Sequence, residues 1–422
     1  EIAGALVGIC VCEDLWFDEG PFGAQIQSGA VLGVSINGSP YQRGKTSERV
    51  GAVIEGASEH KVPIVYVNQV GGQDELIFDG SSFVVDANGE VIARLPQFEE
   101  AVEVVDVEVY SRIKGALPVI SLSSERRHRE PLLTSPGTEP NDEVGEVWNA
   151  LVLATRDYVH KNEFSDAVIG LSGGVDSSLV AAIAVDALGP QRVHGVSMPS
   201  RYSSAGSQDD AAELALNFGM DFHTIPIEPA HASVIEMLDP LFRGYPADLT
   251  EENLQSRIRG VLLMALSNKR GWLVLTTGNK SETSVGYSTL YGDTAGGFAV
   301  LKDCPKLLVY ELCRWRNNQT GAPWIPEASI LKPPSAELRP GQTDEQSLPP
   351  YELLDPLLEA YIEQDRTAAE LVSEGYDAAL VERITRLVDV AEYKRRQSPP
   401  GPRISAKAFG KDRRLPITNR YR

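Results

Sequence analysis

The chain has 422 residues, 42% of them hydrophobic and 23% charged. That suits an ordinary globular protein of about two to three domains and excludes a disordered or collagen-like chain. Its longest nearly apolar stretch, 2–12, falls short of the roughly 20 residues that span a bilayer, and it lacks the flanks of a secretory signal. The formal charge is −20, and so acidic a body repels nucleic-acid backbones, so no nucleic-acid partner is expected.

The first third alternates between strand and helix patterns. Residues 5–12, 31–36 and 62–70 are β-branched-rich runs, 45–60 reads as a helix, and 82–95 carries an Asn88-Gly89 turn between apolar strands. A further strand is expected over 101–109. Prolines and charges gather over 114–142, which places a domain boundary there. We take 1–125 as one domain, 126–142 as a linker and 143–422 as a second domain. The chain starts at Glu1 with a strand almost at once, and the expectation is a fragment whose start is missing.

The second domain opens with a helix near Glu143. Strands follow at 167–171, 194–198, 222–227 and 272–276, alternating with helices at 177–188, 208–218 and 251–268. Such alternation predicts an α/β fold with a parallel sheet and helices on both faces. Residues 333–350 read as a mobile loop, with helices at 351–363 and 377–396. The tail, 383–422, holds twelve Lys/Arg against three acids, which suits phosphate-bearing small molecules. Four cysteines without zinc-ligand spacing argue against a disulfide framework or structural metal, and a reducing cytoplasm is expected.

The strongest chemical signal is AVIGLSGGVDSSLVAAI at 167–183: strand, glycine turn, helix. Gly173 and Gly174 permit positive φ and leave room for phosphate oxygens, while successive amides and a helix N-terminus offer donors to an anion. Asp176 beside phosphates calls for a cation, and Mg²⁺ is the natural one. No Gly-Lys-Ser/Thr closes the loop and no GxGxxG is present, so it is neither a Walker loop nor a dinucleotide fingerprint. Ser-Gly-Gly alone is an ordinary capped turn; the strand, Asp-Ser-Ser and helix around it make it a nucleotide site.

This loop resembles the SGGxDS loop of enzymes that split ATP into AMP and pyrophosphate. Further motifs narrow the resemblance: LTTGNKSETSVGYSTLYGD at 275–293, MPSRYSS at 198–204, ENLQSRIRG at 252–260, GGFAVLKDCPK at 296–306, and EYKRRQSPPG with KDRRLPITNR near the end. Together they resemble glutamine-dependent NAD⁺ synthetases from about residue 143 onward. The resemblance implies a Rossmann-like sheet of the adenine nucleotide alpha-hydrolase type. It implies that Gly170, Leu171, Ser172, Gly173, Gly174, Val175, Asp176, Ser177, Ser178, Thr277 and Lys306 bind ATP. It implies that Asn253, Arg257, Glu282, Asp293 and Lys394 meet deamido-NAD⁺, with Asp176 and Glu282 as metal ligands. Leu290 stands where the ammonia-only branch usually has lysine, which suits the glutamine-using branch.

GICVCEDLW at 8–16, SINGSPYQRGK at 35–45 and VYVNQVGGQDELIFDGSSFVVD at 65–86 resemble the nitrilase-type glutaminase domain of the same enzymes. That implies part of an αββα sandwich with Cys12 as the nucleophile toward glutamine's amide, while Cys10 reads as core. Ser39 and Lys45 are assigned to glutamine. None of Glu13, Glu55 and Lys45 matches the family's general base or oxyanion lysine, so glutaminase activity is expected to be lost in this chain. The implied reaction amidates deamido-NAD⁺ through an adenylate, with ammonia delivered through a tunnel in a homo-oligomer. The alternatives are another SGGxDS ligase of the tRNA-thiolating type, or a nucleotide-binding protein without turnover.

Overall fold

The structure, a computed structural model, describes residues 1–17, 20–110, 115–127, 130 and 137–418. Part of the linker expected at 126–142 and the end of the last quoted motif lie outside them. The chain divides into two compact units: Glu1–Gly71 with Leu76–Ala150, and Gly72–Glu75 with Leu151–Arg422.

In the first unit β1 (Val7–Val11), β2 (Leu32–Asn37) and β3 (Ile64–Asn68) run parallel, joined through α1 (Pro21–Gln27) and α2 (Lys45–His60). The chain then passes through a ribbon of β4 (Val70–Gln73) and β5 (Leu76–Asp79) to β6 (Phe83–Val85) and β7 (Val91–Arg94). These last two pair antiparallel and complete the order β1-β2-β3-β6-β7. The Asn88-Gly89 turn is held by Asp86, whose Oδ1 accepts from the amides of Asn88 and Glu90 at 2.8 Å. One sheet face packs Cys10, Ile64, Tyr66, Phe83 and Val85 against Phe22, Ile26, Val53 and Ala57 of the helices. On the other face Ile9, Val11, Ile36 and Val67 are exposed. One sheet and one helical layer make half of an αββα arrangement.

The strand expected over 101–109 is not formed. The segment has no regular secondary structure, and Val102, Val104 and Val109 are exposed. Alternating valines and acids satisfy the strand period, but a strand also needs a neighbour for its backbone groups and a core for its apolar side.

The helix α3 (Glu143–Lys161) is shared, the division falling after Ala150. In the second unit β8 (Ala167–Gly170), α4 (Val175–Leu188), β9 (Val193–Ser197), α5 (Ala205–Phe218) and β10 (Asp221–Thr224) follow in the expected alternation. Next come α6 (Glu228–Phe242), α7 (Leu249–Arg270), β11 (Leu273–Thr276), α8 (Lys280–Val285) and β12 (Phe298–Ala299). All five strands are parallel, in the order β10-β9-β8-β11-β12. Right-handed crossovers then put α4 and α5 on one face and α7 on the other. The α7 face is packed by Val168, Val196, Val274 and Leu263. The order reverses beside β8, so a crevice opens at the strand C-termini there, the usual ligand position in such sheets.

The remainder is helical: α9 (Lys306–Thr320), α10 (Glu327–Leu331), α11 (Tyr351–Ile362), α12 (Ala368–Ser373), α13 (Ala378–Val390) and α14 (Glu392–Arg395). The single helix expected over 377–396 is interrupted at Ala391. Residues 333–350 carry only one short 3₁₀ turn, Asp344–Gln346. No helix among the described residues is long and apolar enough to cross a membrane.

Candidate functional site

β8 ends at Gly170 and α4 begins at Val175, so 171–174 form the turn between them. Gly173 has φ +78°, and a Cβ there would lie 2.1 Å from the carbonyl oxygen of Ser207. Only glycine fits that position. The serines brace the turn: Gly174 N donates to Ser172 Oγ at 3.2 Å, and Ser177 and Ser178 hydroxyls donate to Gly174 O at 3.0 and 2.9 Å. Asp176 lies in the first turn of α4.

Lys306, first residue of α9, reaches this turn from 130 positions away. Its Nζ stands 2.5 Å from Asp176 Oδ2 and 3.6 Å from Glu282 Oε1. Burial disfavours the ammonium, but the two carboxylates overcome that and keep it charged. The ammonium also lies 5.5 Å from the centre of the Tyr351 ring, whose hydroxyl donates to Asp344. Burial first, then the Asp176 charge, push the Glu282 carboxyl up to about 8, with Lys306 opposing.

Asn279 joins these parts. Fully buried, it donates through Nδ2 to Asp176 Oδ1 at 2.9 Å and accepts from the Glu282 amide at 2.9 Å as the N-cap of α8. Sequence reasoning quoted it inside the 275–293 motif without giving it a role. An Asn three residues before a Glu was the available signal. Thr277 directly follows β11, at the C-terminal end of that strand.

The residues assigned to deamido-NAD⁺ gather around 286–293. Asn253 Oδ1 accepts from Thr289 Oγ1 at 2.9 Å, and Arg257 Nε donates to Leu290 O at 3.3 Å. Asp293 Oδ1 accepts from the Thr289 amide and the Ser256 hydroxyl. Lys394 Nζ donates to Gly286 O and Ser288 O at 2.8 and 2.7 Å. Burial raises the Asp293 carboxyl above its usual range and lowers the Lys394 ammonium. Asp293 also acts on Glu282, so this cluster adjoins the Asp176–Lys306 pair.

In the first unit, Cys12 follows β1 with φ +52° and starts a 3₁₀ turn, Cys12–Leu15. Its side chain is half-buried, whereas Cys10 is buried. Burial, then the Asp14 charge, push the Cys10 thiol up to about 11. Ser39 follows β2, and Asn68, the end of β3, clamps it: Ser39 N donates to Asn68 Oδ1 at 3.0 Å and Asn68 Nδ2 to Ser39 O at 3.2 Å. Cys12 and Ser39 thus share the C-terminal edge of parallel strands, and both act on Tyr66. Lys45 begins α2 and faces the charge of Asp79. A buried Arg49–Asp79 ion pair at 2.8 Å lies behind Asn68, and sequence reasoning missed it.

A carbon-nitrogen hydrolase family model matches 1–113, and an NAD synthase family model matches 147–398. The chain is 47% identical to the glutamine-dependent NAD(+) synthetase of Xanthomonas campestris pv. campestris, covering 100% of this chain and 73% of that protein. It belongs to the glutamine-dependent NAD⁺ synthetase family. The Thermotoga maritima synthetase is 46% identical, covering 100% of this chain and 76% of the relative. A solved synthetase from Acinetobacter baumannii in complex with ADP matches at TM-score 0.70 and 44% identity, covering 99% and 73% of the two chains. Members of this synthetase family are carbon-nitrogen ligases, and the two family models divide its two chemistries between the two units.

Proposed function

We propose that the second unit converts deamido-NAD⁺ to NAD⁺ at the expense of ATP. The observation that carries this reading is the Asp176–Lys306–Glu282 cluster at the mouth of a phosphate-cradling turn. A carboxylate oxygen of deamido-NAD⁺ attacks the α-phosphorus of ATP, the bond to the β-phosphate oxygen breaks, and pyrophosphate leaves. Ammonia then attacks the acyl carbon, the bond to AMP breaks, and a proton is released. The loop amides, set before the reaction, and Lys306 stabilise the charge that gathers on the phosphates.

The carboxylates of Asp176 and Glu282 fit Mg²⁺. No cluster of three or more acidic, His or Cys ligands exists among the described residues, and Mg²⁺ takes one or two carboxylates with the rest from phosphates and water. When bound, it would neutralise phosphate charge. Asn253, Arg257, Asp293 and Lys394 would hold deamido-NAD⁺ beside the ATP.

In the first unit Cys12 would be the nucleophile toward glutamine's amide carbon, the C–N bond breaking to leave a thioester and ammonia, with Ser39 and Lys45 holding the substrate. The base that takes the thiol proton is none of Glu13, Glu55 and Lys45, so the step needs one supplied from elsewhere. Homo-oligomeric assembly and a cytoplasmic setting belong to the same reading. Against a tRNA-thiolating ligase, Cys304 and Cys313 are fully buried, and burial pushes the Cys313 thiol well up, so neither offers a reactive sulfur.

Deamido-NAD⁺ labelled with ¹⁸O in its carboxylate tests the adenylate. Label appears in AMP if the carboxylate attacks phosphorus; unlabelled AMP refutes it.

A further inference from the structure

We propose that Arg259 binds a phosphate group of ATP, on the opposite side of α7 from Arg257. The proposal deepens the reading above and rests on it. Two residues apart on a helix, the side chains diverge by about 200°. Arg257 turns to Leu290 and the 286–293 segment, whereas Arg259 Nε donates to Met198 O at 2.9 Å. Met198 follows β9, the neighbour of β8.

The surroundings of Arg259 adjoin the nucleotide turn. A Cβ on Gly170 would meet the Met198 methyl at 3.2 Å and Leu263, one turn beyond Arg259, at 3.4 Å. Leu171 N donates to Val196 O at 2.9 Å, tying the start of the turn to β9. Among the described residues the one carboxylate that acts on Arg259 is Glu337, which forms no ion pair with it. That carboxylate already accepts from the hydroxyls of Ser204 and Ser207, at 3.0 and 2.8 Å. Ser207 in turn abuts Gly173.

Among the described residues the guanidinium therefore has one acceptor, on Nε. Its two terminal nitrogens have none among the described residues, and they are not sealed from solvent. Burial without a paired acid pushes the group down to about 10. Its two terminal nitrogens thus stay open to a ligand that brings acceptors. A guanidinium fork matches two phosphate oxygens, and the neighbouring turn is built for phosphate.

The test uses the whole chain with ATP, Mg²⁺, deamido-NAD⁺ and ammonia. Arg259→Gln should raise the KM for ATP about tenfold or more, the scale of a charge-assisted hydrogen bond, and leave the KM for deamido-NAD⁺ unchanged. Arg259→Lys should recover part of the loss, and it serves if the Gln variant does not fold. Calorimetric titration with ATP and with adenosine should show weakened binding of ATP only. An unchanged KM for ATP, a rise confined to deamido-NAD⁺, or equal weakening toward adenosine would each overturn the proposal. If the wild-type chain does not turn over deamido-NAD⁺, the functional reading fails, while the two titrations still decide Arg259.

Discussion

Lys306 Nζ lies 2.5 Å from Asp176 Oδ2, and both ends of that pair are held in place. Asn279 grips the other oxygen of Asp176, while the Lys306 amide donates to Ser281 Oγ at 2.9 Å. The charge is fixed before any substrate arrives. That is the arrangement phosphoryl chemistry uses, because donors already in position need no reorganisation.

Lys306→Met leaves Asp176 and Glu282 facing each other without a cation. Breaking a buried pair from one side costs about 3–5 kcal/mol, and the partial exposure of both acids puts this case near about 3. Denaturant titration should show that loss, together with at least about a hundredfold fall in turnover. Wild-type stability would mean that the pair is not formed in solution.

Gly173 and Gly174 should respond very differently to alanine. At Gly173 the added carbon meets backbone 2.1 Å away at φ +78°, whereas at Gly174 it meets only the Ser172 hydroxyl, at 3.2 Å. Gly173→Ala should weaken ATP binding at least about tenfold, and Gly174→Ala by no more than about threefold. Calorimetric titration with ATP measures both.

Thiol labelling should distinguish the cysteines. Cys12 is half-buried, while Cys10, Cys304 and Cys313 are buried, and the Cys10 thiol is raised to about 11. Iodoacetamide at about pH 8 should modify Cys12 first and the other three only after unfolding. Peptide mass mapping reports the order, and early modification of Cys10 would contradict the packing around β1.

The start of β10 gives a pH-dependent prediction. The hydrogen bond from His194 holds the Asp221 carboxyl below its ordinary 3.8; partial burial opposes this, and the nearby His223 adds to the lowering. A depressed carboxyl adds stability above its unfolded pKa and loses it as pH falls through the folded value. Asp221→Asn should therefore be less stable than wild type at about pH 6, with the gap closing below 3.8. Thermal midpoints across that range test the sign.

The nucleotide turn was legible because its signal is local: strand, two glycines, Asp-Ser-Ser and helix lie within 167–183. Lys306 could be assigned only through resemblance, since nothing near it in the chain indicates that it meets Asp176. The helix α6 escaped because Pro229 and Pro240 interrupt its pattern, yet one stands in its first turn and the other is accommodated near its end. The 101–109 segment failed in the opposite direction, with a good period but no strand pairing among the described residues. Arg259 sat inside a quoted motif, but its missing acceptors are a fact of three dimensions.

The central claim is that this site cleaves ATP between its α- and β-phosphates to activate a carboxylate. Chromatography of a reaction containing the chain, ATP, Mg²⁺, deamido-NAD⁺ and ammonia tests it most directly. NAD⁺, AMP and pyrophosphate should form in equal amounts; ADP and orthophosphate in their place would contradict the account.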